Sequence, residues 1–290
     1  MANDRSTSDE RLDVVVQWIA RMNEIITVGD MKWDEALTNL RSIAVNYTIR
    51  RQLEALDAAV ALAKAGLGHL AVGFIRPALD ELLWIAWFKE LSVEDAQRLL
   101  TAMNLLDSIR SVRAQRDYIG HADMEDLWYP ATFLNGLDRL ETEAKNNLKD
   151  LAKEFGWSGA APSAKWVAEK SDNLRLYEYL HSATSRALHY SMGEASRNCW
   201  GELGGIATTL KPEFRQHRTD FAMTWLPRLL LLTATTASDL LKEASIGFQE
   251  GAWSIGDITE PLNLSLTPLV HAYEWNLRPP SPRGPQNNTA

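Results

Sequence analysis

Cysteine is almost absent from this chain of 290 residues, and the single Cys199 excludes an internal disulfide and any zinc site built from several cysteines. Long runs of one charge are missing too. Against 30 basic residues stand 38 acidic ones, giving a formal net charge of −8 with no block of either sign, which argues against a dedicated surface for duplex nucleic acid. No apolar stretch reaches the ~20 residues needed to cross a bilayer, because Arg76, Asp80, Glu81 and Arg228 interrupt the most hydrophobic segments. The opening MANDRSTSDE is polar and lacks the apolar centre of a signal peptide. The expected place is therefore the cytoplasm, with no membrane partner. Glycine-rich phosphate loops, dinucleotide fingerprints and zincin motifs are absent as well, so no cofactor is expected. No alternation of apolar and polar residues persists long enough to predict a sheet.

What is present is helical periodicity over a composition that is 46% apolar, enough to bury one large core. Leu12, Val15, Val16, Ile19 and Met22 recur at spacings of three and four behind the capping candidates Thr7 and Ser8. After a turn at Val28-Gly29-Asp30, an Ala- and Leu-rich stretch runs to Ala65, with a break expected near residues 46–48. The most apolar helix, HLAVGFIRPALDELLWIAWFKEL, is hydrophobic nearly all round and so should be central, kinked or restarted at Pro77. Ser92 should cap a helix ending before Gly120. A second should run over Ala131–Phe155 and stop at Gly156, and a short third should start after Ser163. Ser171 or Asp172 should open the next, and GELGGIATTLKP reads as a loop or short extended piece. A strong helix follows over 213–244, then a loop over 247–264 and a short helix over 267–277 that docks Tyr273 and Trp275. The reading is all-α: a single multi-helix bundle with peripheral helices, a disordered stretch at 1–10, the domain at 11–277, and a disordered proline-rich tail at 278–290.

One turn-spaced stripe stands out. Tyr177, His181, Ser185 and His189 lie four apart and share a helix face, so they can line one pocket or one partner surface. On the apolar helix, Arg76 is four residues before Asp80 and five before Glu81, so its guanidinium should be held by one or both carboxylates. This is either an ion pair fixing helix register or an anion clamp with Trp84 and Trp87 as walls. Glu178 and His181 form one Glu-x-x-His pair, but carboxylate-bridged di-iron sites need a second, and none occurs, so no metal is assigned. Ser185 with a histidine base lacks a strained nucleophile turn and an obvious oxyanion hole.

The segments FIRPALDELLWIAWF, APSAKWVAEK and YEYLHSATSRALHYS together resemble a bacterial domain-of-unknown-function family, number 5677. In that family an arginine-to-acid helix precedes one bearing tyrosine, serine and histidine. Arg76, Glu81, Tyr177, Ser185 and His189 carry the resemblance, which spans about residues 40–245. It implies an all-helical fold and no particular activity. A looser likeness is to HEPN ribonucleases of bacterial conflict systems, where an arginine offsets phosphate charge and a histidine moves the proton for attack by a 2′-hydroxyl. RDYIGH fits with Arg116, Asp117 and His121, and RLYEYLH with Arg175 and His181, although about one such match is expected by chance. Two functions follow as expectations. The first is a binding or interaction protein whose small polar pocket is built from Arg76, Glu81, Tyr177, His181, Ser185 and His189 for a small polar ligand or protein partner, in bacterial defence or stress response. The alternative is a metal-independent ribonuclease acting on RNA through Arg116 and His121, as a homodimer.

Overall fold

Helix dominates the computed structural model, which describes residues 3–32, 39–127, 129–188, 199–200, 208–209 and 212–248. The elements run α1 (Asn3–Ile25), β1 (Ile26–Val28), α2 (Leu40–Lys64), a 3₁₀ turn (Gly68–Ala71), α3 (Val72–Glu90), α4 (Val93–Ile119), α5 (His121–Leu127), α6 (Ala131–Phe155), α7 (Ala164–Lys170), α8 (Leu174–Leu188), β2 (Cys199–Trp200), β3 (Thr208–Thr209), α9 (Pro212–Thr236) and β4 (Ile246–Phe248). The protein is all-α, and one apolar core runs from Val15 on α1 to Ile246 on β4. Among the described residues no helix is long and apolar enough to cross a membrane.

Helix α3 is the axis of this core. Ile75, Leu79, Leu82, Leu83 and Ile85 are fully buried, because α2, α7, α8 and α9 all pack on it. A helix apolar on most of its faces has to be enclosed in this way. Pro77 does not break it: the helix is uninterrupted from Val72, and the restart expected at the proline lies earlier, where the 3₁₀ turn gives way to α3. That turn approaches α9 so closely that a Cβ on Gly68 would stand 2.5 Å from Thr219 Cγ2 and 3.0 Å from the Ala63 Cα. Glycine is required there by space.

Local signals set several boundaries. Ser92 accepts a bond from the Asp95 amide at 3.0 Å and Ser163 accepts one from Trp166 at 3.2 Å, each satisfying an orphan donor at a helix start. Gly156 ends α6 in the left-handed region at φ 87°, which glycine adopts without a Cβ clash.

Four expectations are corrected. Helix α1 begins at Asn3, not after a disordered stretch at 1–10; no proline or glycine interrupts the run before Gly29. No break occurs at 46–48, since Val45, Thr48 and Ile49 are buried and hold the β-branched stretch in α2. Helix α9 stops at Thr236, and turns occupy 237–245. Ile246–Phe248, assigned mostly to a loop, pairs antiparallel with β1, Ile26 opposite Phe248 and Val28 opposite Ile246. Asn46 locks this clasp by donating to the carbonyls of Gly29 at 3.0 Å and Ala244 at 2.7 Å. The extended piece expected in GELGGIATTLKP is met at Thr208–Thr209, which pairs with Cys199–Trp200. The helix expected at 267–277 and the tail at 278–290 lie outside the described residues.

Candidate functional site

A cleft of about 440 Å³ opens between α2 and α3. Ala44, Thr48 and Arg51 come from one face of α2 at helical spacing, and Arg76, Pro77, Asp80, Glu81, Trp84, Ile85 and Phe88 from one face of α3. Its lining is apolar along Pro77, Trp84, Ile85 and Phe88 and charged at Arg51, Arg76, Asp80 and Glu81.

The two acids divide between the two arginines. Arg76 Nε donates to Asp80 Oδ2 at 2.9 Å, the i to i+4 pair that the spacing called for. Glu81 turns instead to α2, with Arg51 Nε 3.1 Å from Oε1 and Gln52 Nε2 donating to Oε2 at 3.2 Å. Gln52 also reaches the Ala78 carbonyl at 3.3 Å, so one buried amide ties α2 to the helix beside the acids. Burial pushes the Asp80 carboxyl above its ordinary range against the pull of Arg76. It raises Glu81 as well, with Arg51 and Gln52 drawing it back down and Asp80 adding to the rise. Arg76 Nη1, Asp80 Oδ1 and Glu81 Oε1 are buried without a hydrogen-bond partner, as are several other side-chain atoms among the described residues.

The stripe on α8 faces this arginine. The Tyr177 ring lies 5.4 Å from the Arg76 guanidinium carbon, close enough for a cation–π contact. The His181 ring stands 4.9 Å from that of Tyr177, and Ser185 Oγ lies 3.3 Å from His181 Nδ1. Arg76, Tyr177, His181 and Ser185 thus form one contiguous row, with Tyr177, His181 and Ser185 partly buried. They stand behind Arg76, outside the cleft lining. His189 lies outside the described residues. Ser185 sits inside a regular helix, without the sharp turn that exposes a serine nucleophile.

The tryptophans part company. Trp84 lines the cleft, whereas Trp87, expected as a second wall, is buried on another face against Trp166 at 4.9 Å, with Phe155 and Trp157 edge-on beside it. Three residues along a helix turn the side chain by about 60° from its starting direction, and that was enough to commit Trp87 to the core. Arg51 and Gln52 were missed by sequence reasoning. The available signal was the Ala44, Thr48, Arg51 spacing, which nothing in the sequence ties to α3.

Arg116 and His121 occupy the far end of α4 and the start of α5, away from the cleft. Arg116 donates to Asp117 at 3.0 and 3.2 Å and reaches the Leu134 carbonyl at 3.5 Å, while His121 Nε2 is 3.1 Å from Glu125 Oε1. The two take different partners, both including an acid, on a tip where Tyr118 is 92% exposed. His69 is buried beside Arg215 and Arg218, and burial followed by these two cations holds its ring below the ordinary histidine value. Among the described residues no group of three or more His, Cys, Asp or Glu side chains is placed to hold a metal ion. Set against protein-family models, curated proteins and solved structures, the chain matches none.

Proposed function

We propose that this protein is a binding protein and that the cleft between α2 and α3 is its ligand site. The observation that carries the reading is the convergence of four charged side chains, Arg51, Arg76, Asp80 and Glu81, on an otherwise apolar cleft of about 440 Å³. The volume falls within the range of small-molecule sites, and a few convergent polar groups on apolar walls is their usual composition. Arg76 is also held in place from behind by Tyr177, which lowers the entropy lost when a ligand fixes it. A cytoplasmic setting accords with the single cysteine.

The cleft is favoured over the ribonuclease alternative because Arg116 and His121 are each paired with an acid, Asp117 and Glu125, which offsets the positive charge a phosphate needs. The test is a calorimetric screen of the full chain against fragments of anionic, neutral and cationic head group, beside a variant that fills the cleft, Ala44→Phe. Binding by the wild type that the filled variant loses supports the reading. Equal binding by both, or none by the wild type, refutes it.

A further inference from the structure

We infer that this cleft is covered by the chain's own segment 267–277, docked as an amphipathic helix, so that a ligand gains the site by displacing it; the inference rests on the binding reading above. The charges of the cleft are paired with one another, Arg76 with Asp80 and Arg51 with Glu81, so they call for no counter-charge from an occupant. The surface left to an occupant is mainly apolar. Pro77 and Trp84 are half-buried along it, with Ile85 and Phe88 beneath. Tyr47, whose ring lies 6.0 Å from the Arg51 guanidinium carbon, extends this surface at the edge and is 57% exposed.

Residues 267–277 lie outside the described residues, and their sequence supplies the complement. On helical spacing Leu269, Val270, Tyr273 and Leu277 fall within about 100° of one another with no charged residue among them, and Trp275 falls on the opposite side. Lengths agree as well: eleven residues of helix run about 16 Å, and α3 lines the cleft from Arg76 to Phe88 over about 18 Å. An amphipathic helix seats in an apolar groove through anchors at this spacing. The chain also leaves the described fold beside the cleft. Asn46, on α2 between Ala44 and Thr48, donates to the Ala244 carbonyl at 2.7 Å, and Arg50 reaches the Val28 carbonyl at 3.5 Å. The clasp of β1 and β4 therefore sits on the same turns of α2 that line the cleft, round a helix only about 10–12 Å across. Strand β4 ends at Phe248, and residues 249–266 can span up to about 60 Å, ample to bring 267–277 over the cleft. Tethering gives this segment an advantage over any free partner of equal affinity.

The test places the photo-crosslinking residue p-benzoylphenylalanine at position 273 or, separately, at position 275 of the full chain, and maps the products by mass spectrometry. From position 273 the links should fall on residues 44–51 and 76–88 of the same chain, and from position 275 they should fall elsewhere. In a second measurement, a synthetic peptide of residues 266–279 is titrated calorimetrically into the full chain carrying Leu269→Ser and Tyr273→Ser, which should release the segment. The peptide should bind this variant at least about tenfold more tightly than wild type, whose own segment holds the site, and adding Ala44→Phe should abolish the binding. Links from position 273 to other surfaces or to a second copy overturn the inference. Peptide binding that is equal in variant and wild type, or absent while fragments still bind the cleft, overturns it too and leaves the cleft reading standing. No fragment binding by either the wild type or the double variant refutes the binding reading and this inference together.

Discussion

Replacing Arg76 by methionine tests whether the charged row at the heart of the bundle stabilises it or merely tolerates burial. The substitution keeps most of the side-chain length and removes three things. One is the 2.9 Å charge-assisted bond to Asp80, for which about 1.5–3 kcal/mol is usual, reduced here because the Asp80 side chain is 34% exposed and water screens it. The second is the contact with the Tyr177 ring, worth about 0.5–1 kcal/mol. The third acts oppositely, since the unpartnered Nη1 disappears and about 1 kcal/mol of its desolvation penalty with it. The net expectation is a loss of about 1–2 kcal/mol in urea unfolding. Changing Asp80 as well, in Arg76→Met with Asp80→Leu, removes the carboxylate that the single variant strands, and stability should return to within about 1 kcal/mol of wild type or exceed it. The sign with pH is equally defined. Burial holds the Asp80 carboxyl above its ordinary value even with Arg76 present, and without the cation it rises further. A raised carboxyl penalises the folded state above its folded pKa and is relieved as pH falls through it, so the deficit of Arg76→Met should shrink as pH falls from neutral toward the ordinary carboxyl value of 3.8. A single variant as stable as wild type, or a double variant weaker than the single, would refute the reasoning.

Two further outcomes follow from the geometry. Gly68→Ala should destabilise by about 1–3 kcal/mol because the new methyl meets Thr219 at 2.5 Å and the unyielding Ala63 backbone at 3.0 Å, and Thr219→Ala in the same chain should restore part of the loss in thermal unfolding. Glu141, buried on α6 and ringed by Lys145, Arg113 and Arg110, has its carboxyl held below its ordinary value near 4.5, first by Lys145. That stabilisation is present at neutral pH and lost as pH falls below the ordinary value, so wild type should lose more Tm than Glu141→Gln between about pH 6 and about pH 3; parallel curves would contradict it.

How much of this was legible beforehand depended on the range of each signal. The ends of α6, the Ser92 cap of α4 and the Ser163 cap of α7 stood in the sequence as written, because a cap is a bond between residues three or four apart and a left-handed glycine is a property of one residue. The Arg76–Asp80 pair and the Tyr177, His181, Ser185 row were legible for the same reason, since helical spacing alone brings their members together. The burial of α3 was legible from its apolar run.

Tertiary structure decided everything that depends on which face meets which. Periodicity showed that Trp84 and Trp87 belong to an apolar helix, but only the docking of α7 and the end of α6 sent Trp87 into the core and left Trp84 to the cleft. Glu81 lies beside Asp80 in sequence and yet belongs with Arg51 and Gln52, nearly thirty residues earlier, because the packing of α2 on α3 brought them together. The β1–β4 clasp joins residues 26–28 to 246–248, each strand too short to show an alternating pattern and each partner invisible to the other until the helices between them had folded. Sequence by itself determined that this chain would be helical and where most helices would stop, since those choices are made within a turn or two of backbone. The cleft and its pairing of charges exist only because two helices distant in sequence were brought face to face.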